Sequence, residues 1–487
     1  VGKAARVKAP DRWHPGKVAA VDFASRAGLP AALAGLPRED ALPSYEYLEG
    51  RLSLRQLEDF QIEVSEALKN GIRVAGHRSI VTLPTGAGKT RVAVQAIRDW
   101  LFSLYNPDKT TTKGAVVLWL AHTEELCEQA YACFRQVWEG SESVAPLLLV
   151  RFWGNYTDPV AHRQTLRRVL EAPSVLISTP NRMISMLDSS RDAAQSVVED
   201  LRQGLGLLVI DEAHRAAAPS YRRIVGEIAL PARGVPVVGL TATPFRHEYA
   251  DDPDAGTREL REIFQNLIEP SRTLGVNPRA TLQDRRILAR PEFQAIPTPT
   301  VIHMPEIDQA NAPSTEDLDK IDRALAIRAD NSPRRLAVLE RIVPLAQDPR
   351  NLILYFGPSV PDAQCMAFLL RERGIPAAVV SGNTRDVTRR LLIERFKRAE
   401  LRVLCNCEVL TTGFDAPKVT HVVMARPTVS QVLYEQMVGR GLRGPAFGGT
   451  ETCTILDCQD ELRGPTRPEL GYKRFRRVWE RDTRVGG

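Results

Sequence analysis

The segment Leu83-Pro84-Thr85-Gly86-Ala87-Gly88-Lys89-Thr90 sets two glycines beside a lysine and a hydroxyl, a combination suited to holding phosphate groups. Gly86 and Gly88 would let backbone amides face a β- and a γ-phosphate, and the helix that follows would add its positive end. Lys89 supplies a point charge, and the Thr90 hydroxyl is placed to ligate Mg²⁺. The strict phosphate-loop pattern asks for glycine where Leu83 stands, so the match is partial. Further along, Leu207-Leu208-Val209-Ile210-Asp211-Glu212-Ala213-His214 ends an apolar run on two carboxylates, where open parallel sheets place ligand-handling groups. Asp211 would hold Mg²⁺ through its water shell, and Glu212 would orient or deprotonate a water. Alone, such a pair could be a helix cap or a solvated turn. In order behind Lys89, it reads as the second half of a nucleoside triphosphate site. A third element, Gln436-Met437-Val438-Gly439-Arg440-Gly441-Leu442-Arg443, lies far downstream, in what reads as a separate domain.

Those residues need rigid sheets to hold them, and the sequence supplies two series of strand-length apolar runs alternating with helix-like stretches. That is the pattern of parallel sheets covered on both faces. The first series takes residues 79–83, 116–120, 175–178, 207–210 and 235–240; the second takes 352–356, 377–380, 402–405, 422–425 and 453–456. After the phosphate loop, Val92, Ala96, Ile97 and Trp100 share a helical face, as a helix packed on a sheet requires. Between the series, 290–299 holds three prolines and cannot be helical, while 257–266 and 317–329 are expected helices. The resulting division is a basic N-terminal extension (1–50), a first sheet domain that binds nucleotide (51–246), a connector with helices (247–350), a second sheet domain carrying arginines (351–460) and a basic tail (461–487). No internal repeat or low-complexity tract interrupts it.

A chain of 487 residues exceeds a single ordinary core, and 43% hydrophobic with 25% charged residues are globular proportions. A net charge of +6 is compatible with a polyanionic partner but weak over this length. Seven cysteines, sparsely spaced, do not form a secreted disulfide framework; no apolar run reaches the length of a membrane span. Residues 1–17 carry charges and prolines where a signal peptide needs an apolar stretch, so a reducing, cytoplasmic setting is expected, in which the sequon at Asn155 has no role. Cys405-Asn406-Cys407 is too tightly spaced for a zinc knuckle and, like Cys453 and Cys458, reads as buried thiols. His122 reads as a satisfied polar residue at a strand end.

The ordered motifs resemble those of the superfamily 2 helicases and translocases of DEAH type, from residue 57 to about residue 457. The resemblance implies two tandem RecA-like parallel-sheet domains with a cleft between them. Leu57-Glu58-Asp59-Phe60-Gln61 is similar to the adenine-reading glutamine motif, with Gln61 as the reader, although Glu58 and Asp59 replace its usual arginine and proline. Leu120-Ala121-His122-Thr123-Glu124-Glu125-Leu126 and Ser178-Thr179-Pro180-Asn181-Arg182 resemble strand-contacting motifs, and Leu240-Thr241-Ala242-Thr243-Pro244-Phe245-Arg246 the coupling motif. In the second domain Tyr355-Phe356-Gly357-Pro358-Ser359, Val380-Ser381-Gly382-Asn383-Thr384 and Leu410-Thr411-Thr412-Gly413-Phe414-Asp415-Ala416-Pro417 occupy the matching places. The final motif, and Thr241 to Arg246, are more like restriction-motor subunits and DNA-repair helicases than RNA helicases.

What the resemblance implies is an ATPase whose cofactors are ATP and Mg²⁺. Thr85, Gly86, Gly88, Lys89 and Thr90 bind nucleotide on the first lobe, with Gly413 and Asp415 contributing from the second. Arg440 and Arg443, with Gln436, complete catalysis only when the lobes close. DNA, single- or double-stranded, would lie across both lobes, held at its phosphates by Thr123, Thr179, Arg182, Ser359, Thr411 and Thr412. His214, Thr241 and Thr243 would transmit between metal site and strand. The expected function is an ATP-dependent DNA helicase or double-stranded DNA translocase in bacterial genome defence or repair, with any nuclease supplied by a protein partner. Two alternatives stay open: a nucleotide-gated switch subunit without processive unwinding, and an RNA helicase. The basic aromatic stretch from Tyr472 to Trp479 would either grip a strand or dock on the second lobe as an amphipathic helix. Residues 1–50 would form a DNA-contacting arm, a partner-docking segment or a strap.

Overall fold

The computed structural model describes residues 45–48, 56–104, 115–140, 147–154, 173–190, 192–229, 234–242, 260–275, 277–303, 315–382, 384, 386–407, 410 and 416–463. Two compact units divide the chain at residue 46. The first falls almost wholly outside the described residues, and the account below concerns the second. Of the N-terminal extension expected over 1–50 only residues 45–48 are described, and the tail beyond 463, Tyr472 to Trp479 included, falls outside the described residues.

The strands in chain order are β1 (Tyr45–Leu48), β2 (Arg78–Thr82), β3 (Val116–Leu120), β4 (Leu147–Phe152), β5 (Ser174–Ser178), β6 (Leu205–Asp211), β7 (Val237–Thr241), β8 (Asn266–Ile268), β9 (Arg290–His303), β10 (Ile353–Phe356), β11 (Ala377–Val380), β12 (Val403–Asn406), β13 (His421–Met424) and β14 (Thr452–Arg463). From β2 onward the first sheet runs β4-β5-β3-β6-β7-β2-β8, and the second runs β11-β12-β10-β13-β14-β9. Every pairing recorded within these orders is parallel. Strands β3, β4, β5 and β7 are buried along their whole length, as parallel strands under helices on both faces must be.

Helix Lys89–Leu104 buries Val92, Ala96, Ile97 and Trp100 against the first sheet, the face its sequence marked. In the second sheet, period-2 alternation sends Leu354 and Phe356 into one core layer and Ile353 and Tyr355 into the other. Among the cysteines, Cys405, Cys453 and Cys458 are buried and burial pushes their thiols up, that of Cys458 to about 12.

The segment 247–350, expected as a connector, is divided between the sheets. β8 pairs with β2, so residue Asn266, expected to close a helix, opens a strand; among the described residues the helix before it covers 260–263 and ends there. Leu282, Ile287 and Leu288 join the first lobe's core. β9 then pairs with β14 over most of its length, and helix Ser332–Gln347 buries Val338, Leu339 and Ile342 under the second sheet. The three prolines that excluded a helix over 290–299 are accommodated because β9 is an edge strand, where a missing amide donor costs least. Helix Thr315–Ala329 forms close to the expected 317–329.

Candidate active site

The phosphate-loop segment leaves the end of β2 and enters helix Lys89–Leu104. Leu83 is fully buried and donates its amide to Thr241 O at 3.3 Å, so the position where glycine was expected continues the β2–β7 pairing and packs into the core. Gly86 and Gly88 have φ of +92° and +89°, values that disfavour any side chain. Space reinforces the requirement. A Cβ on Gly88 would lie 2.7 Å from Gln61 Nε2, and one on Gly86 would lie 2.9 Å from a methyl of Leu288.

Gln61 sits in the first turn of helix Asp59–Ile72 and is 3% exposed. Its Nε2 donates to Ala87 O at 2.9 Å, and its Oε1 accepts from Glu58 N at 3.1 Å. Glu58 takes the N-cap place of a reciprocal capping box, which accounts locally for an acidic residue where the resemblance led us to look for arginine. The amide of Gln61 therefore grips the loop between the two glycines.

Asp211 ends β6 and accepts from the Glu212 amide at 3.0 Å. Glu212 adopts φ 52° and ψ 54°, the left-handed region that a non-glycine residue occupies only when its surroundings hold it there. This turn directs both carboxylates into the cleft. Burial and the Glu212 charge push the Asp211 carboxyl up, against the pull of Lys89 and Arg440. Burial acts in the same sense on Glu212, but the adjacent His214 imidazole together with the Lys89 and Arg440 charges outweighs it, and the carboxyl is held low. His214 Nδ1 stands 3.3 Å from Glu212 Oε2.

The facing wall comes from the second lobe. Helix Gln431–Val438 carries Gln436, 9% exposed, and stops at Gly439. A Cβ on Gly439 would come within 2.1 Å of Thr85 Cγ2, whereas one on Gly441 would meet Cys453 Sγ at 2.3 Å. One glycine thus admits the phosphate loop of the opposite lobe, the other its own sheet. Arg443 Nη1 donates to Gly86 O, and Arg440 acts electrostatically on both Asp211 and Glu212. A cavity of about 780 Å³ is lined from both lobes, by Gln61, Lys89, Thr90 and Asp211 on one side and Gln436 and Arg440 on the other. That volume is in the range of small-molecule sites. Thr90 and Asp211 offer the hard oxygen donors a Mg²⁺ ion prefers, and the Glu212 carboxylate beside buried Asp211 concentrates negative charge that a dication would offset.

Arg389 and Lys397 were not marked in the sequence, yet both line the cavity together with Ile393. Their spacing of four along helix Asp386–Lys397 puts the three on one face, a signal that could have been read. Of the expected strand-contacting residues, Thr123, Thr179 and Ser359 are each N-caps whose side chains accept a backbone amide, from Leu126, Arg182 and Asp362 respectively. Ser359 also donates to Asp330. Arg182 stacks over Phe152, 5.1 Å from its ring centroid. Thr241 is fully buried at the end of β7. His122 Nε2 lies 3.2 Å from Arg215 Nη1. Thr243, Thr411, Thr412, Gly413 and Asp415 fall outside the described residues.

Residues 59–251 match the DEAD/DEAH box helicase family, and residues 334–444 match the helicase conserved C-terminal domain. The chain is 25% identical over 404 residues to the putative ATP-dependent helicase IRC3 of Saccharomyces cerevisiae, covering 82% of this chain and 51% of that one. It is 26% identical over 418 residues to the putative mitochondrial ATP-dependent helicase irc3 of Schizosaccharomyces pombe, covering 84% and 58%. The chain therefore spans about half the length of the curated relatives it matches. Among solved structures, Mss116p bound to ssRNA and AMP-PNP is similar with a TM-score of 0.55 at 18% identity, over 85% of this chain and 75% of that one. That likeness establishes the fold: two RecA-like parallel-sheet domains.

Proposed function

This chain belongs to the superfamily 2 helicases, and from that premise we propose that it is an ATP-dependent DNA helicase or double-stranded DNA translocase. The observation that carries the reading is that Arg440 and Arg443 of the second lobe bear on the acidic pair and the phosphate loop of the first. A site assembled from two lobes turns over only when they close.

Lys89 and the amides beside Gly86 and Gly88 hold the triphosphate, and Glu212 orients or deprotonates the attacking water. Thr90 and Asp211 would hold Mg²⁺, which would supply neutralisation of charge at the phosphate oxygens. Arg440 and Arg443 stabilise the charge that builds on the transferred phosphoryl group, a contribution of about 10³ to 10⁵ in rate where such arginines have been removed. Gln61 reads adenine as the family motif implies and also steadies the loop. A DNA strand across both lobes, met at Thr123, Thr179, Arg182, Ser359, Thr411 and Thr412, favours closure and is carried by the next opening. Gly413 and Asp415 add nucleotide contacts from the second lobe, and His214, Thr241 and Thr243 couple the sites.

Motif style supports DNA over RNA and a place in bacterial genome defence or repair, in the cytoplasm, with a protein partner supplying any nuclease. Among the described residues no helix is long and apolar enough to cross a membrane. The test is steady-state ATP hydrolysis with no nucleic acid, single-stranded DNA, duplex DNA or RNA, with Lys89→Ala as the blank. Stimulation by one DNA form is expected. Stimulation by RNA alone would make this an RNA helicase, and indifference to every polynucleotide would make it a switch subunit.

A further inference from the structure

We propose that Arg279 is a positioning residue for the arginine-bearing elements of the second lobe, acting through Glu435; the inference rests on the hydrolysis reading above. The segment around Arg279 travels with the first lobe. Leu282, Ile287 and Leu288 lie in that lobe's core, Arg285 pairs with Asp59 at 2.5 Å, and Glu63 accepts from the amides of Arg272 and Thr273 at 3.2 and 3.1 Å. From this anchored base, helix Pro278–Asp284 extends Arg279 Nη2 to Glu435 Oε1 at 3.2 Å. Glu435 belongs to the second lobe, in helix Gln431–Val438. The bond therefore joins one lobe to the other.

Its place on the second helix matters more than its strength. Glu435 immediately precedes Gln436, and its backbone carbonyl accepts from Gly439 N at 2.9 Å, where the helix stops against Thr85. Immediately beyond come Arg440 and Arg443. With side chains only 19% and 5% exposed, Arg279 and Glu435 form a partly desolvated pair, and such a carboxylate is costly to leave without its cation. The planar guanidinium fixes direction as well as distance. A second tie runs in parallel: Ala289 N donates to Leu442 O at 3.1 Å and Gly444 N to Ile287 O at 2.9 Å, on either side of Arg443. The segment between the lobes thus grips the final motif at its start and at its end. Residue Arg279 fixes the start, and with it the angle at which the arginines face the phosphate loop.

A positioning role predicts a loss in turnover without a matching loss in nucleotide affinity. Arg279→Gln and Glu435→Gln should each lower kcat by about ten- to a hundredfold, since displacement near 1 Å can cost that much. The KM for ATP and the Kd of a fluorescent ATP analogue should stay within about twofold. The double variant, which leaves two amides able to bond, should be no worse than the weaker single. Should Arg279→Gln not fold, Arg279→Lys keeps the charge, loses the fork and should show an intermediate kcat. A wild-type kcat in either single variant would overturn the proposal. So would additive losses in the double, or a Kd that rises as far as kcat falls. Wild-type hydrolysis no greater than that of Lys89→Ala would instead defeat the underlying reading of the site.

Discussion

Replacing Gly439 by alanine adds one carbon at the point where the lobes meet. That carbon would lie 2.1 Å from Thr85 Cγ2 and 3.0 Å from Glu435 O. Ordinary carbon contacts begin near about 3.5 Å, so the phosphate loop and the end of helix Gln431–Val438 must part by about 1.5 Å. Gly439 itself has φ −57° and ψ −18°, a conformation alanine adopts freely and with about 1 kcal/mol less backbone entropy to lose. The substitution should therefore leave the melting temperature unchanged or slightly raised while it holds the cleft ajar. Misplacement of catalytic groups by about 1 Å can cost about a hundredfold in rate, and that is the expected fall in kcat. Affinity for a fluorescent ATP analogue should hardly move, because Lys89 and Thr90 stay in place. Thr85→Ser in the same chain removes the clashing methyl and should recover part of the loss. A Gly439→Ala protein with undiminished kcat would show that this contact does not gate turnover, and a loss that Thr85→Ser cannot relieve would place the cause elsewhere.

Glu212→Gln should abolish hydrolysis and spare nucleotide binding, as single-turnover assays beside binding titrations would show; hydrolysis near the wild-type rate would unseat Glu212. Arg443→Ala should lower kcat by about 10³-fold or more with nucleotide affinity nearly intact, since its bond to Gly86 O is to backbone rather than to a ligand. Gln61→Ala removes the bonds to Ala87 O and Glu58 N and should raise the KM for ATP and GTP alike, in addition to any loss specific to adenine. A KM penalty confined to ATP would count against loop support. For His122, which is exposed to solvent on one side, partial desolvation together with the Arg215 and His214 charges lowers the pKa to about 4. The folded value lies below the unfolded one, so the unfolded chain binds the extra proton and stability falls as pH drops from about 6.5 towards 4. Melting curves of His122→Gln should lose part of that slope; an unchanged slope would show that other groups carry it.

Legibility in the sequence followed the physics of each element. The phosphate loop and the Asp211–Glu212 turn could be read because glycine conformation and paired carboxylates leave marks on adjacent residues. The buried strands β3, β6 and β11 could be read because a run that must be apolar on both faces excludes other assignments. β4 was missed although Leu147 to Phe152 is wholly buried, and β8 was missed because three residues give no period to detect. β9 was missed because its prolines excluded a helix without announcing an edge strand. The same limit governs the site. A bond such as Arg279 to Glu435 spans 156 positions, and no local pattern foretells it. Gln61 was found by its motif, but its grip on Ala87 depends on how helix Asp59–Ile72 docks, which only packing decides.

The contacts around residues 85–88 show why closure and chemistry are hard to separate in this chain. Gln61 holds Ala87 O from the helix before β2, Leu288 presses on Gly86 from the segment between the lobes, and Arg443 and Gly439 bear on Gly86 and Thr85 from the second lobe. Three stretches distant in sequence thus converge on four residues, and the contacts fall on backbone, on the Thr85 methyl or on a place where only glycine fits. Glycines at 86 and 88 consequently serve two ends, the left-handed turn and the close approach of neighbours. A loop so enclosed cannot shift its amides without moving one of its supports, and two of those supports belong to the lobe that must swing. Geometry at the γ-phosphate and the angle between lobes are therefore one variable seen from two sides, which is what a motor driven by nucleotide turnover requires.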